Sequence, residues 1–356
     1  VKPSVPLFRR GSSVTSQLGL SDRIFSSKGD RGLAAGIDVG LEQVEASLLG
    51  EVTFADEVAN VTSRYLLNAG GKRVRPMLAL LTAHLGSGVL DEVVTAATAI
   101  EITHLASLYH DDVMDDAHQR RGVPSAQTVW GNSIAILTGD LLFARASQLM
   151  ARLGERAIRL QADTFERLVL GQLHETVGPH DGEDPVEHYI QVLADKTGSL
   201  IAAAAQAGVI FSDASDDYER PVVQFGEKIG VAFQLIDDVL DLSPQPEETG
   251  KFAGTDLRAG VATLPVLRLR ERAPGDPGAA ALLARLERDV MAPGAAAGDA
   301  ADSAIAALRE HDVTTQTLSE AHGWARDAVA ALSPLPDGSV KKALTRFADT
   351  IVERSS

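Results

Sequence analysis

The sequence predicts an all-α fold, a single-domain helical bundle, and three observations predict it. After Ile37, apolar residues recur at spacings of three and four through nearly every segment, the period of one helix face. No run sustains the two-residue alternation with β-branched residues that a sheet needs. Apolar residues make up 45% of the 356, enough for a large core.

Residues 1–36 are expected to form a flexible tail ahead of a folded domain at 37–356. The first part of this tail carries Lys2, Arg9, Arg10, Arg23, Lys28 and Arg31 against Asp22 and Asp30, a composition that also suits an organelle transit peptide. Leu41, Val44, Leu48 and Val52 mark the first helix face. Further helices are expected over 76–86, 90–117, 132–152, 155–177, 185–211 and 218–242. One start is well marked, with Asp184 as N-cap, Pro185 at the first helical position and Glu187 as the capping-box acid. After Pro274 the chain turns rich in alanine, glycine and proline, with a loop near Pro293 to Gly298. Helices return at 301–312, 315–332 and 338–354.

Composition excludes several classes. The formal charge of −16 argues against nucleic acid as main partner and suits divalent cations. The absence of cysteine removes disulfides, thiolate metal sites and thiol nucleophiles. No window reads as an uninterrupted apolar span of about 18 residues; the longest apolar run, Leu200–Phe211, reads as a buried core helix.

Two acidic clusters stand out, Asp111-Asp112-Val-Met-Asp115-Asp116 and Asp237-Asp238-Val-Leu-Asp241. Each ends an apolar helical run, and Asp111 with Asp115, like Asp237 with Asp241, falls on one helix face. Like charges four apart destabilise a helix, and its C-terminal end disfavours anions. Two such clusters point to a hard cation such as Mg²⁺, which is held by one or two carboxylates together with substrate phosphates. Gly70-Gly71-Lys72-Arg73-Val74-Arg75-Pro76 is a basic glycine turn suited to phosphate oxygens. Arg120 and Arg121 follow the first cluster by one helical turn, and Lys251 follows the second. Gly198 in Lys196-Thr197-Gly198 falls inside a helical stretch, so a break there would aim Lys196 and the Thr197 carbonyl inward.

Together, the GGKRVRP turn, the histidine of EITHLASLYHDD, both aspartate motifs, KTGSL and GKFAGTD resemble the all-trans polyprenyl diphosphate synthase family over roughly residues 40–350. The resemblance implies an isoprenoid synthase-like bundle around a deep apolar cavity, with the aspartate motifs facing across its mouth. It implies that Asp111, Asp115 and Asp237, supported by Asp112 and Asp241, hold about three Mg²⁺ ions. Arg120, Lys196 and Lys251 would then bind an allylic diphosphate, while Lys72, Arg75, His104 and Arg121 bind isopentenyl diphosphate without metal. Thr197 and Gln234 would offer oxygen dipoles to the carbocation. The implied reaction is elongation by head-to-tail trans condensation, in a cytoplasmic homodimer that touches membranes transiently to release product.

Ala106 and Ser107, five and four residues before Asp111, stand where short-chain members place an aromatic floor. Their small size predicts a product of 20 carbons or longer. The two-residue spacing inside the first cluster is similar to bacterial medium- and long-chain members. Val261 departs from the pattern where many members carry a second lysine; Arg258 is a possible substitute. Two other readings stand beside elongation: a terpene cyclase, which has no use for the GGKRVRP pocket, and a non-catalytic tunnel-shaping subunit, which usually loses one acidic motif.

Overall fold

The computed structural model describes residues 24–25, 30–243, 253–295 and 298–353. The expected periodicity folds as helices: α1 (Arg31–Glu51), α2 (Glu57–Asn68), α3 (Val74–Ala83) and α4 (Asp91–Met114). A short hairpin follows, β1 (Gln119–Arg120) and β2 (Val123–Pro124). The chain continues through α5 (Ala126–Trp130), α6 (Asn132–Leu153), α7 (Glu155–Val177) and α8 (Pro185–Leu193) to a π-helical turn (Ala194–Gly198) and α9 (Ser199–Ile210). Next come α10 (Glu219–Asp241), α11 (Thr255–Arg258), α12 (Leu264–Arg272), α13 (Pro277–Asp289), α14 (Asp299–Glu310), α15 (Asp312–Ala331) and α16 (Ser339–Val352).

The chain divides into two compact units. Of the described residues, the first holds 24–25, 30–166, 200–226 and 331–347; the second holds 167–199, 227–243, 253–295, 298–330 and 348–353. In the first unit α1 buries Leu33, Ile37, Leu41, Val44 and Leu48, one stripe at helical spacing, and packs on α3 and α4. Helix α4 lies along α6 and is buried over most of its length, which explains why its apolar and small residues show no single face. In the second unit Leu257, Val266, Leu269, Leu286, Ile305 and Leu308 build a core among α11 to α14.

Several expectations need correction. The first helix begins at Arg31, with Leu33 buried, inside the span expected as tail. A two-stranded pair exists where no sheet was expected; Arg121 and Gly122 both adopt positive φ, the conformation that joins strands across two residues. Arg120 and Arg121 therefore sit on a hairpin, not one helical turn beyond Asp116. Helices α12 and α13 occupy a stretch without an assigned helix. Their prolines act as starters, Pro277 following the N-cap Asp276, whose carboxylate accepts from the N–H groups of Gly278 (2.8 Å) and Ala279 (3.2 Å). By length and composition α6 is also apolar enough to cross a membrane, with a mean hydropathy of 1.3 over its best window. Asp140 and Arg145 interrupt it, which is why a search for an unbroken run passed it by; 39% of that window is buried.

Candidate active site

The first unit carries an anion pocket built around α4. Glu101, 2% exposed, and His104 stand one turn apart on this helix. The turn between α2 and α3 brings Arg73 onto Glu101. Arg73 has φ 48° and ψ 32°, a left-handed backbone that non-glycine residues adopt rarely and that clusters at functional sites. This conformation turns its guanidinium inward, 5% exposed, where Nη1 donates to Glu101 Oε1 (3.3 Å) and Nε donates to Glu45 Oε1. Gly71 permits the turn, because a Cβ there would collide with Arg73.

Arg121, the second left-handed arginine, donates from Nη1 to the carbonyls of Leu66 (2.8 Å) and Gly70, so the hairpin and the basic turn are tied together. Burial lowers its pKa to about 10, with the neighbouring arginines pushing the same way and Glu101 opposing. Arg75 is half-buried, its pKa lowered by burial against the pull of Glu101, and its Nε has no hydrogen-bond partner. Lys72 is exposed beside this group. Arg73, Arg75, Arg120 and Arg121 thus gather around Glu101 and His104, with Glu45 and Asp112 pairing two of them, an arrangement suited to binding an anion.

His104 registers these charges. Burial first, then the fields of Arg75, Arg121, Arg120 and Arg73, hold its pKa well below 6.5, although the ring keeps some solvent contact. The unfolded chain therefore binds a proton that the folded one refuses. The resulting stability is complete above pH 6.5 and declines as the pH falls below it, by a slope approaching about 1.4 kcal/mol per unit. Asp238, whose buried carboxyl takes up a proton on folding, acts in the opposite sense over the same range. The His104 contribution is therefore read as a difference: in urea unfolding of the ligand-free protein from pH 7.5 to 5.5, wild type is expected to lose more stability, or gain less, than His104→Gln. An equal slope in both proteins would remove His104 from the account.

The acidic end of α4 lies on the same helix. Asp111 is the last-turn residue whose carbonyl accepts from Asp115 N (2.8 Å), while Asp115 itself is the exposed C-cap, just outside the helix. Asp112 is fully buried and accepts from Arg120 Nε at 2.7 Å; its Oδ2 has no partner. Burial raises its pKa, and Arg120 opposes this. Arg120, expected on the allylic diphosphate, is here the counter-ion of Asp112. Ala106 and Ser107 are both buried on α4, one turn above the cluster.

In the second unit, the expected break at Gly198 is the π turn, a geometry that recurs at functional sites. Lys196 Nζ donates to Glu175 on α7, and Thr197 Oγ1 donates to Gln234 Oε1 on α10 at 3.5 Å. Asp237 and Asp241 end α10, and Asp241 Oδ2 accepts from the N–H of Asp256 at 3.1 Å. Asp238 points inward. It is 2% exposed and accepts from Tyr189 Oη (2.7 Å). Burial pushes its pKa up to about 8, with Tyr189 opposing. Lys251 lies outside the described residues. Arg258, the suggested stand-in at Val261, is engaged elsewhere: Nε donates to the Ala253 carbonyl (2.9 Å), and Nη2 pairs with Asp302 at 2.5 Å.

These donors fit Mg²⁺. They are carboxylate oxygens without sulfur, and the buried Asp112 Oδ2 lacks a hydrogen-bond donor. Among the described residues, no three His, Asp or Glu side chains gather closely enough to cage an ion by themselves.

The sequence matches the Polyprenyl synthetase family over residues 56–290, two thirds of its length. The chain belongs to the polyprenyl synthetase family. As a polyprenyl synthetase it is an all-α prenyltransferase of the isoprenoid synthase fold. It is 43% identical over 350 residues to the nonaprenyl diphosphate synthase of Mycobacterium tuberculosis, covering 97% of this chain and 99% of that one. Among solved structures, it is similar to a decaprenyl diphosphate synthase from Rhodobacter capsulatus (TM-score 0.80, 32% identity, 91% and 98% of the two chains). It is likewise similar to a geranylgeranyl pyrophosphate synthase from Corynebacterium glutamicum complexed with calcium and isoprenyl diphosphate (TM-score 0.79, 39% identity, 92% and 98%).

Sequence reasoning missed Glu101, Glu175 and Tyr189, and it placed Arg73 and Asp238 in the basic turn and the second acidic cluster without giving either a role of its own. For Arg73 a signal was available, since it stands between Lys72 and Arg75; for Glu101 it was the single acid inside an apolar helix run.

Proposed function

We propose that this polyprenyl synthetase condenses isopentenyl diphosphate head-to-tail with an allylic diphosphate, in trans, to give a product of 20 carbons or longer. The observation that carries this reading is the arginine cluster around Glu101 and His104, an anion pocket on the helix that ends in Asp111. Cyclisation uses one diphosphate and has no need for this second pocket.

In this reading Lys72, Arg75 and Arg121 bind the isopentenyl diphosphate, and His104, held neutral, donates to it without adding charge. Asp111, Asp115 and Asp237, with Asp112 and Asp241 in support, are the residues that would hold magnesium, about three ions. Magnesium, when bound, supplies charge to stabilise the departing diphosphate. Lys196 gives a further cation to that leaving group, and Lys251 stands as another. The Thr197 hydroxyl and Gln234 amide turn oxygen dipoles toward the allylic carbocation. The isopentenyl double bond attacks it, and the departing proton passes to the released diphosphate, so no protein base is required.

Incubation with Mg²⁺, isopentenyl diphosphate and farnesyl diphosphate, followed by sizing of products, tests this. Longer prenyl diphosphates are expected; unchanged primer would reject the reading, and a cyclised hydrocarbon would replace it with the cyclase. The growing chain is read as descending along α4 past Ala106. Ala106→Phe is therefore expected to cut product length by at least one five-carbon unit, and an unchanged distribution would place the floor elsewhere. A homodimer is supported by exposed apolar residues in the first unit, Ile136 and Leu137 on α6 with Val58 and Val61 on α2. Transient contact of the apolar product with a membrane completes the proposal.

A further inference from the structure

Lys196 and Thr197 ride on irregular backbone, and a π turn is a rare, poorly bonded geometry that its surroundings must hold. In the second unit one side chain bonds to both the turn and the helix packed against it. Arg167, on the first turn of α7 within that unit, donates from Nε to Asp195 Oδ1 (2.9 Å) and from Nη1 to Glu227 Oε1. Asp195 is the residue immediately before Lys196, inside the π turn; Glu227 belongs to α10, the helix that carries Gln234 and Asp237. The other Asp195 oxygen accepts from Gln191 Nε2 at 2.7 Å, so the carboxylate is fixed from two helices.

The backbones close in around the same point. A Cβ at Gly171 would lie 2.7 Å from the N of Lys196, and one at Gly198 would lie 3.0 Å from the Glu227 carbonyl. The turn is pressed between α7 and α10, and among the described residues Arg167 bonds both Asp195 and Glu227.

We propose that Arg167 is a positioning residue: by bridging Asp195 and Glu227 it holds the π turn so that Lys196 and Thr197 meet the allylic diphosphate. This rests on the role given above to Lys196. The ion pairs themselves contribute little stability, because the Arg167 side chain is 37% exposed and Glu227 32%. The effect is one of aim, and small misplacements of a binding group cost rate steeply. Two carboxylates on different helices also call for the fork of a guanidinium, which a lysine reproduces only in part.

The test is steady-state kinetics with farnesyl diphosphate and isopentenyl diphosphate, alongside thermal melts, for Arg167→Met, Arg167→Lys, Asp195→Asn and Lys196→Ala. Arg167→Met is expected to raise the KM for farnesyl diphosphate and to lower kcat, each by about tenfold. The KM for isopentenyl diphosphate should stay within about twofold and the Tm within a few degrees. Arg167→Lys should recover part of the loss. Asp195→Asn should resemble Arg167→Met, and the two combined should be no worse than either alone. Wild-type allylic parameters in Arg167→Met would overturn the inference, as would both KM values rising together with a lowered Tm. If Lys196→Ala leaves the allylic KM unchanged, the role of Lys196 fails and the inference with it. If Lys196→Ala raises it and Arg167→Met does not, the inference alone fails.

Discussion

Asp111→Asn is expected to lower turnover by about three orders of magnitude with little change in melting temperature, whereas Asp112→Asn is expected to lower both. The two residues are neighbours in sequence and opposites in surroundings. Asp111 keeps solvent contact at the end of α4, where a carboxylate can meet a cation brought with the substrate. Losing its charge removes stabilisation of the leaving diphosphate; about 4 kcal/mol in the barrier corresponds to a thousandfold in rate. Asp112 is closed off from water and bonded to Arg120, which itself is 32% exposed. An amide there leaves the guanidinium without its counter-ion, a loss expected to exceed the relief of no longer burying the charge whose cost the raised pKa of Asp112 records. Measurements of kcat at saturating Mg²⁺, with EDTA removal as reference, and thermal unfolding of both variants separate the two roles. An active Asp111→Asn would overturn the metal assignment; an Asp112→Asn protein of unchanged Tm would show that the pair with Arg120 adds nothing.

Gly208→Ala is expected to destabilise the protein by about 3 kcal/mol, the upper range for overpacking a tight core. In the first unit α9 approaches α3 so closely at Gly208 that a Cβ would collide with the Ala79 carbonyl and the Thr82 hydroxyl, and would lie 2.9 Å from Ala83 N. Two of these are backbone atoms, which cannot rotate away. The Thr82 hydroxyl, fully buried, donates to the Ala205 carbonyl on α9 at 2.8 Å, and that bond would break as the helices part. A fall in Tm of about 4 °C is the expected reading for a chain of this size. Gly323→Ala on α15 is the control. Its nearest neighbour, the end of the Arg326 side chain, is 3.8 Å away, so the substitution should be neutral or slightly stabilising. Equal melting of Gly208→Ala and wild type would mean that α3 and α9 have room to separate.

Local signals were legible wherever a helix depends on its own residues. The expected limits of 155–177 coincide with α7, and Asp184 caps α8 by accepting from the N–H groups of Val186 and Glu187. Gly198 marked the break in the 185–211 stretch that the π turn realises. Local reasoning failed where one residue serves two purposes. Pro265 and Pro277 start helices, yet the same residue type ends them, and context beyond the neighbouring residues decides between the two. The arginine pair after the first acidic cluster showed its charge but not its hairpin, since Arg121 had to adopt positive φ for the strands to join.

The amino-acid order by itself determined the helical class, the two aspartate clusters and the basic glycine turn, because periodicity, capping and charge spacing act over a few residues. Tertiary structure decided which charges serve as ligands and which as supports. Arg73 meets Glu45 and Glu101, each 28 positions away, and Arg167 meets Glu227 across 60. A buried charge takes whatever partner packing brings within reach, and no local pattern encodes that choice.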